Sequence, residues 1–129
     1  MVVDSSAVVA ILRLEAKASR FSELMSRASN RRIASPNLLE VTMVMSGQFG
    51  EASIALVDAF IASAEIDVVP FTADHVAVAR QAFLRYGKGR HPAGLNFGDC
   101  IAYATARLEA MPLLFKGDDF RLTDVEAAA

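Results

Sequence analysis

Four places in this chain set a carboxylate at the edge of apolar sequence. Asp4 follows "MVV", Glu40 lies inside "NLLEVTMV", Asp99 lies inside "NFGDC", and Asp118 and Asp119 follow "PLLFKG". An unpaired carboxylate is costly to bury, so each needs a reason to be there. Taken singly, each has an ordinary one: Asp4 could cap a helix, Glu40 could be solvated on one, Asp99 could be half of a capping box with Asn96, and Asp118 could sit in a turn. Taken together they suit a different chemistry. Mg²⁺ and Mn²⁺ prefer hard oxygen ligands, and three or four carboxylates can hold one or two such ions. Ions held that way stabilise charge on a scissile phosphate and activate water, which is metal-assisted phosphoryl transfer. Without the metal the carboxylates repel one another, so at least one should have a raised pKa.

Other chemistries find less support. The only histidines, His75 and His91, have no second donor at ligand spacing, and Cys100 stands alone, so a zinc site is not expected. Cys100 also lacks an evident base and reads as a buried, inert thiol. There is no phosphate-loop or dinucleotide-binding glycine pattern; "GKGRHPAG" precedes a helix rather than following a strand. An aspartate phospho-acceptor would also place an acid at a strand end, with a lysine such as Lys116 after a late strand, but "VVDSS" lacks the second acid of the phosphatase pattern. A catalytically silent binding module is the other alternative.

The elements that must position these acids can be read from periodicity and punctuation. Strands are expected over residues 1–4, 31–35, 66–71 and 112–117, each short and apolar. Between them lie helices over about 6–14, 16–29, 36–48, 51–64, 72–87 and 97–110. Ser5 or Ser6 is expected to cap the first helix. Ser35 with Pro36 starts the third, and Thr72 and Gly87 bound the fifth, with Gly87 as a C′ residue. Strands alternating with helices imply an α/β domain with a mostly parallel sheet. Such sheets collect ligands at the carboxyl ends of their strands, where Asp4, Asp118 and Asp119 fall.

Bulk properties set the class. The 129 residues fit one domain, with a tail over about 125–129 expected to fray. An apolar fraction of 53% argues for a generous core and against disorder. No run reaches the roughly 18 apolar residues of a membrane span, and Asp4 stands where a signal peptide would carry a basic residue, so a cytoplasmic protein is expected. The net charge of −2 argues against a simple cationic nucleic-acid binder. Yet from Arg80 to Gly98 there is no acid, and Arg85, Lys88, Arg90 and His91 make a local basic loop that could contact phosphates.

Four segments carry a resemblance. "MVVDSSAVVAIL", "SPNLLEVTMVM", "NFGDCIAYATA" and "PLLFKGDDFRLTDV", in that order along essentially the whole chain, resemble the PIN-domain ribonucleases, and most closely the VapC toxins of bacterial toxin–antitoxin pairs. The resemblance implies a three-layer α/β/α sandwich around a mostly parallel sheet. It implies Mg²⁺- or Mn²⁺-dependent endoribonuclease activity in which an activated water cleaves RNA to leave a 5′-phosphate and a 3′-hydroxyl. Carried over by motif, Asp4, Glu40 and Asp99 take the acidic positions, with Asp4 and Asp99 as primary metal ligands. The fourth is Asp118 or Asp119, with Asp118 favoured as nearer the strand end. Ser6 supports a carboxylate or a water. A VapB-like antitoxin seated against helix 36–48 and a homodimer are also implied.

Overall fold

A computed structural model describes residues Met1–Ala129. Four parallel strands, β1 (Val2–Val3), β2 (Arg31–Ala34), β3 (Ile66–Val69) and β4 (Leu113–Leu114), form one sheet in the order β3-β2-β1-β4. Six helices connect them: α1 (Ser5–Leu12), α2 (Ala18–Arg27), α3 (Ser35–Phe49), α4 (Ser53–Ser63), α5 (Ala73–Tyr86) and α6 (Phe97–Glu109). The alternating pleat of a strand sends successive side chains to opposite faces. Val3 and Leu114 accordingly join a core with Val8 of α1, Met25 of α2, Val41 of α3 and Val57 of α4. Val2 and Leu113 join a second core with Tyr86 of α5 and Tyr103 of α6. Two cores on two faces of one sheet make the α/β/α sandwich that the sequence implied.

Four features depart from the sequence reading. Asp4, not Ser5 or Ser6, is the N-cap of α1, and its side chain accepts from the Ser6 N–H. Helix α3 starts at Ser35, with Ala34 as cap, one residue earlier than the Ser-Pro rule suggests. Gly87 ends α5 at φ −66°, so it is not a left-handed C′ residue. Glycine is needed there because an added Cβ would lie 2.3 Å from the Phe83 carbonyl oxygen. The tail is joined to the sheet by backbone hydrogen bonds. The Leu113 N–H donates to the Glu126 carbonyl at 2.8 Å and the Ala128 N–H to the Leu113 carbonyl at 2.9 Å, so the last residues cover the outer edge of β4.

Strand β3 forms the opposite edge, with Asp67 and Val68 exposed, so it is less buried than a continuous apolar run predicts. Beyond β4, Phe115 and Phe120 pack at 5.0 Å and hold a short 3₁₀ turn over Asp119–Leu122. No helix is long and apolar enough to cross a membrane.

Candidate active site

The central strand β1 ends at Val3, and the next residue is buried beneath a cleft. That residue, Asp4, is 2% exposed. Its Oδ2 accepts from the Ser6 N–H at 3.0 Å and from the Ser6 hydroxyl. Its Oδ1 is buried and has no protein partner. Burial pushes the Asp4 carboxyl up to about 7; the Ser6 hydrogen bonds oppose the shift, and the nearby charges of Asp99 and Glu40 add to it.

Glu40 enters from α3, in the second turn. The Ser5 hydroxyl donates to its Oε1, and Asn37 Nδ2 lies 3.4 Å from the same oxygen. Asn37 is itself 1% exposed and donates to the Gly98 carbonyl at 3.1 Å, which ties α3 to the first turn of α6. Gly98 faces the Glu40 side chain. A Cβ added there would lie 2.6 and 2.7 Å from the two Glu40 carboxylate oxygens. The missing side chain of Gly98 is therefore the space that the Glu40 carboxylate occupies.

Asp99 follows in the same turn. Its N–H donates to Asn96 Oδ1 at 2.9 Å, and the Asn96 N–H donates to Asp99 Oδ2 at 3.0 Å. The capping box expected from the sequence is present. It does not take Asp99 away from the cleft, because only Oδ2 serves it. Burial raises the Asp99 pKa, the Asn96 N–H lowers it, and the charges of Asp119 and Glu40 raise it again. So Asp119 lies near enough to Asp99 to be felt electrostatically. Asp118 and Asp119 are both exposed and neither lines the cleft; Asp118 sits 3.9 Å from the Arg121 guanidinium.

The carboxylates share one cleft, lined by Asp4, Ser5, Ser6, Glu40, Asn96 and Asp99. No three acidic, histidine or cysteine groups converge tightly enough to form a preassembled cage. An open set of oxygens suits Mg²⁺, which keeps several waters and takes only one or two carboxylates directly. The unpartnered Asp4 Oδ1 is a buried acceptor waiting for a cation or a donor, so the residues present fit a divalent ion.

Comparisons with known proteins give the family. The PIN domain family model matches residues 1–126. The chain belongs to the PIN-domain family. Within it the chain belongs with the VapC proteins. It is 42% identical over 129 residues to "Ribonuclease VapC30" of Mycobacterium tuberculosis, covering 100% of this chain and 98% of that one. The fold is shared with the crystal structure of Mycobacterium tuberculosis VapC20, described as a sarcin-ricin loop cleaving toxin, at a TM-score of 0.77, 17% identity, and coverage of 96% and 95%. It is also shared with VapBC2 from Rickettsia felis bound to a DNA fragment from its promoter, at a TM-score of 0.74, 15% identity, and coverage of 98% and 95%.

On this PIN fold the basic loop does not line the acidic cleft. Arg85 pairs with Asp124 at 3.5 Å and lies over the Tyr86 ring. Arg90 lies over Phe83, and Lys88 lines an apolar groove with Phe83 and Phe97. His91 Nδ1 accepts from the Ala93 N–H at 3.0 Å, and its ring meets Tyr86 edge-on. His75 accepts from the Thr72 N–H and packs on Phe71. Sequence reasoning also missed Ser5, Asn37 and Gly98. A signal existed for two of them: Asn37 stands one helical turn before Glu40, and Gly98 precedes Asp99 where a better helix former would be expected.

Proposed function

We propose that this chain is a divalent-metal-dependent endoribonuclease of the VapC toxin type, acting on RNA phosphodiesters. The observation that carries the reading is Asp4: a carboxylate buried at the end of the central strand, one oxygen held by Ser6, the other without a partner, in a cleft shared with Glu40 and Asp99. Burial of such a group is unfavourable unless a cation completes it. Asp4 and Asp99 would hold the ion, with Glu40 completing the acidic set and Asp119 preferred to Asp118 as the fourth acid because its charge acts on Asp99. Mg²⁺ is the expected ion, with Mn²⁺ able to replace it. When bound, such an ion stabilises charge on the scissile phosphate and lowers the pKa of water.

The chain's own side chains then have distinct tasks. Ser6 fixes Asp4 so that only Oδ1 is free. Ser5 and Asn37 fix Glu40, whose second oxygen remains available to orient a water and accept its proton. The capping box holds Asp99 in the first turn of α6, near the positive end of the helix, where a carboxylate is favoured.

A cognate VapB-like antitoxin is part of the proposal. Leu39 and Met43 are exposed on α3, and Val44 of the same helix also lines the acidic cleft, so a partner seated on this face would meet the carboxylates. We further propose a homodimer and a cytoplasmic location, in keeping with the family.

The deciding experiment is cleavage of a labelled RNA pool by antitoxin-free protein with Mg²⁺, with Mn²⁺ and with EDTA, beside Asp99→Asn. Discrete products that require metal and are lost in the variant are expected. Absence of cleavage with either metal, from folded protein, would refute the reading.

A further inference from the structure

An acidic cleft that accepts a polyanion needs positive charge at its mouth, and the chain's distribution of cations identifies the source. Of the thirteen lysines and arginines, two line the cleft that holds Asp4, Glu40 and Asp99: Arg13 and Lys116. The cations of the 80–91 loop are placed elsewhere, against Asp124, Phe83 and the apolar groove. We propose that Arg13 and Lys116 bind the RNA phosphates that flank the cleaved one, and that Glu15 holds both cations in position. This rests on the ribonuclease reading and names the part of the site that would grip the substrate backbone.

The placement is built from both sides. Lys116 lies two residues beyond β4, and its N–H donates to the Ser6 hydroxyl at 3.0 Å, the same hydroxyl that donates to Asp4. One serine therefore fixes the spacing between Lys116 and the carboxylate floor. Arg13 caps the C-terminus of α1, the helix that Asp4 begins. Past it the chain turns sharply. Leu14 adopts φ +55°, a left-handed conformation uncommon for a bulky residue, with its side chain 86% exposed. That turn lets the Glu15 N–H donate to the Ala10 carbonyl at 2.9 Å and brings the Glu15 carboxylate back to the cleft. There Glu15 accepts from Lys116 Nζ and lies 3.9 Å from Arg13.

One carboxylate facing two cations leaves a net positive charge at the rim. Both cations keep open sides, at 34% exposure for Arg13 and 49% for Lys116. An ammonium has three donors and a guanidinium five, so a single carboxylate cannot use them all. The spare donors face a cleft whose floor is negative. Backbone phosphates suit the rim, while the carboxylate floor suits the cation.

The test is equilibrium binding of a fluorescein-labelled single-stranded RNA oligonucleotide, followed by anisotropy in Mg²⁺ across a range of KCl concentrations. A Glu40→Gln background keeps the RNA intact. Each phosphate contact on a single strand contributes about 0.7 to the slope of log K against log salt. Lys116→Ala and Arg13→Ala are each expected to weaken binding and to reduce that slope by about 0.7, with Lys116→Arg restoring it. Arg85→Ala should leave the slope unchanged. A merely structural ion pair predicts that Glu15→Gln acts like Lys116→Ala, because both break the pair. The proposal predicts instead that Glu15→Gln keeps the slope, since both cations remain, while weakening affinity, since neither is held in place. Wild-type protein that cuts RNA while folded rim variants bind with unchanged affinity and slope would overturn this inference and leave the nuclease reading standing. Protein that neither binds nor cuts RNA would overturn both.

Discussion

Metal-free protein should lose stability as pH rises, and Asp4 is the reason. In the unfolded chain this carboxyl titrates near the ordinary 3.8; in the fold, burial moves it to about 7. Between those values the native state keeps a proton that the unfolded state has released. Stability therefore falls with pH across this window, since its slope follows the protons bound by the unfolded state minus those bound by the native state. The stabilising proton is fully present below about pH 4 and is lost as pH passes through about 7. A shift of about three units corresponds to about 4 kcal/mol, at roughly 1.4 kcal/mol per unit. Asp99 is shifted in the same direction and adds to the loss. Asp124 is shifted the other way, chiefly by the Tyr103 hydroxyl that donates to it at 2.5 Å, so its contribution is lost only on acidification below the usual carboxylate range. Asp124 therefore does not oppose the fall that Asp4 causes between about pH 4 and 7.

A divalent ion should reverse this trend, because it takes the ionised carboxylates. At a hundredfold excess over its dissociation constant it adds about 2.7 kcal/mol, and more of it binds as the acids deprotonate. The assay is urea unfolding at several pH values between 5 and 8, in EDTA and in Mg²⁺, for wild type and Asp4→Asn. The expected result is a falling stability in EDTA, a flat or rising one in Mg²⁺, and a much weaker pH dependence in Asp4→Asn under both conditions. A metal-free wild type that grows more stable from pH 5 to 8 would refute the reasoning. So would a pH slope that persists unchanged in Asp4→Asn.

Two further outcomes follow from the site's packing. Gly98→Ala should displace the Glu40 carboxylate, whose oxygens lie 2.6 and 2.7 Å from the position of the new Cβ, while alanine improves the helix by up to about 1 kcal/mol; RNA cleavage should fall at least tenfold with the thermal midpoint held or raised, and unchanged cleavage would refute the role given to Gly98. Asp119→Asn should lower both RNA cleavage and Mg²⁺ affinity measured by calorimetry, while Asp118→Asn, at an exposed position beside Arg121, should leave both near wild type; the reverse ranking would return the fourth acid to Asp118.

The fold was legible because its signals were local and redundant. Short apolar runs alternated with helical periodicity, and several helices began at a recognisable residue, such as Thr72 at α5 or Asn96 at α6. What escaped was tertiary. Strand β3 reads as a buried run, yet its place at the sheet edge exposes Val68, and no local pattern reveals strand order. The tail's backbone hydrogen bonds to Leu113 were not legible, because alanines carry no directional signal and no side chain announces them. Gly87 looked like a left-handed terminator, whereas its requirement is steric, set by the Phe83 carbonyl.

The same division runs through the site. The acids were visible because a carboxylate in apolar surroundings is anomalous wherever it occurs, so each marks itself. Cations at the rim do not mark themselves, since lysine and arginine are ordinary at any surface. The 80–91 segment attracted attention by density, but density along the chain is not proximity in space: Arg85 pairs with Asp124 and lies over Tyr86, and Arg90 lies over Phe83. Arg13 and Lys116 stand 103 positions apart in sequence and meet only through Glu15. Asp99 shows why a structural and a functional reading need not compete. A carboxylate has two oxygens; the capping box uses Oδ2, and the helix that this cap stabilises is the one that aims the residue into the cleft. Removing the charge with asparagine would keep an acceptor for the Asn96 N–H while withdrawing the ligand, so Asp99→Asn should separate the two roles: stability within about 1 kcal/mol of wild type, and cleavage lost.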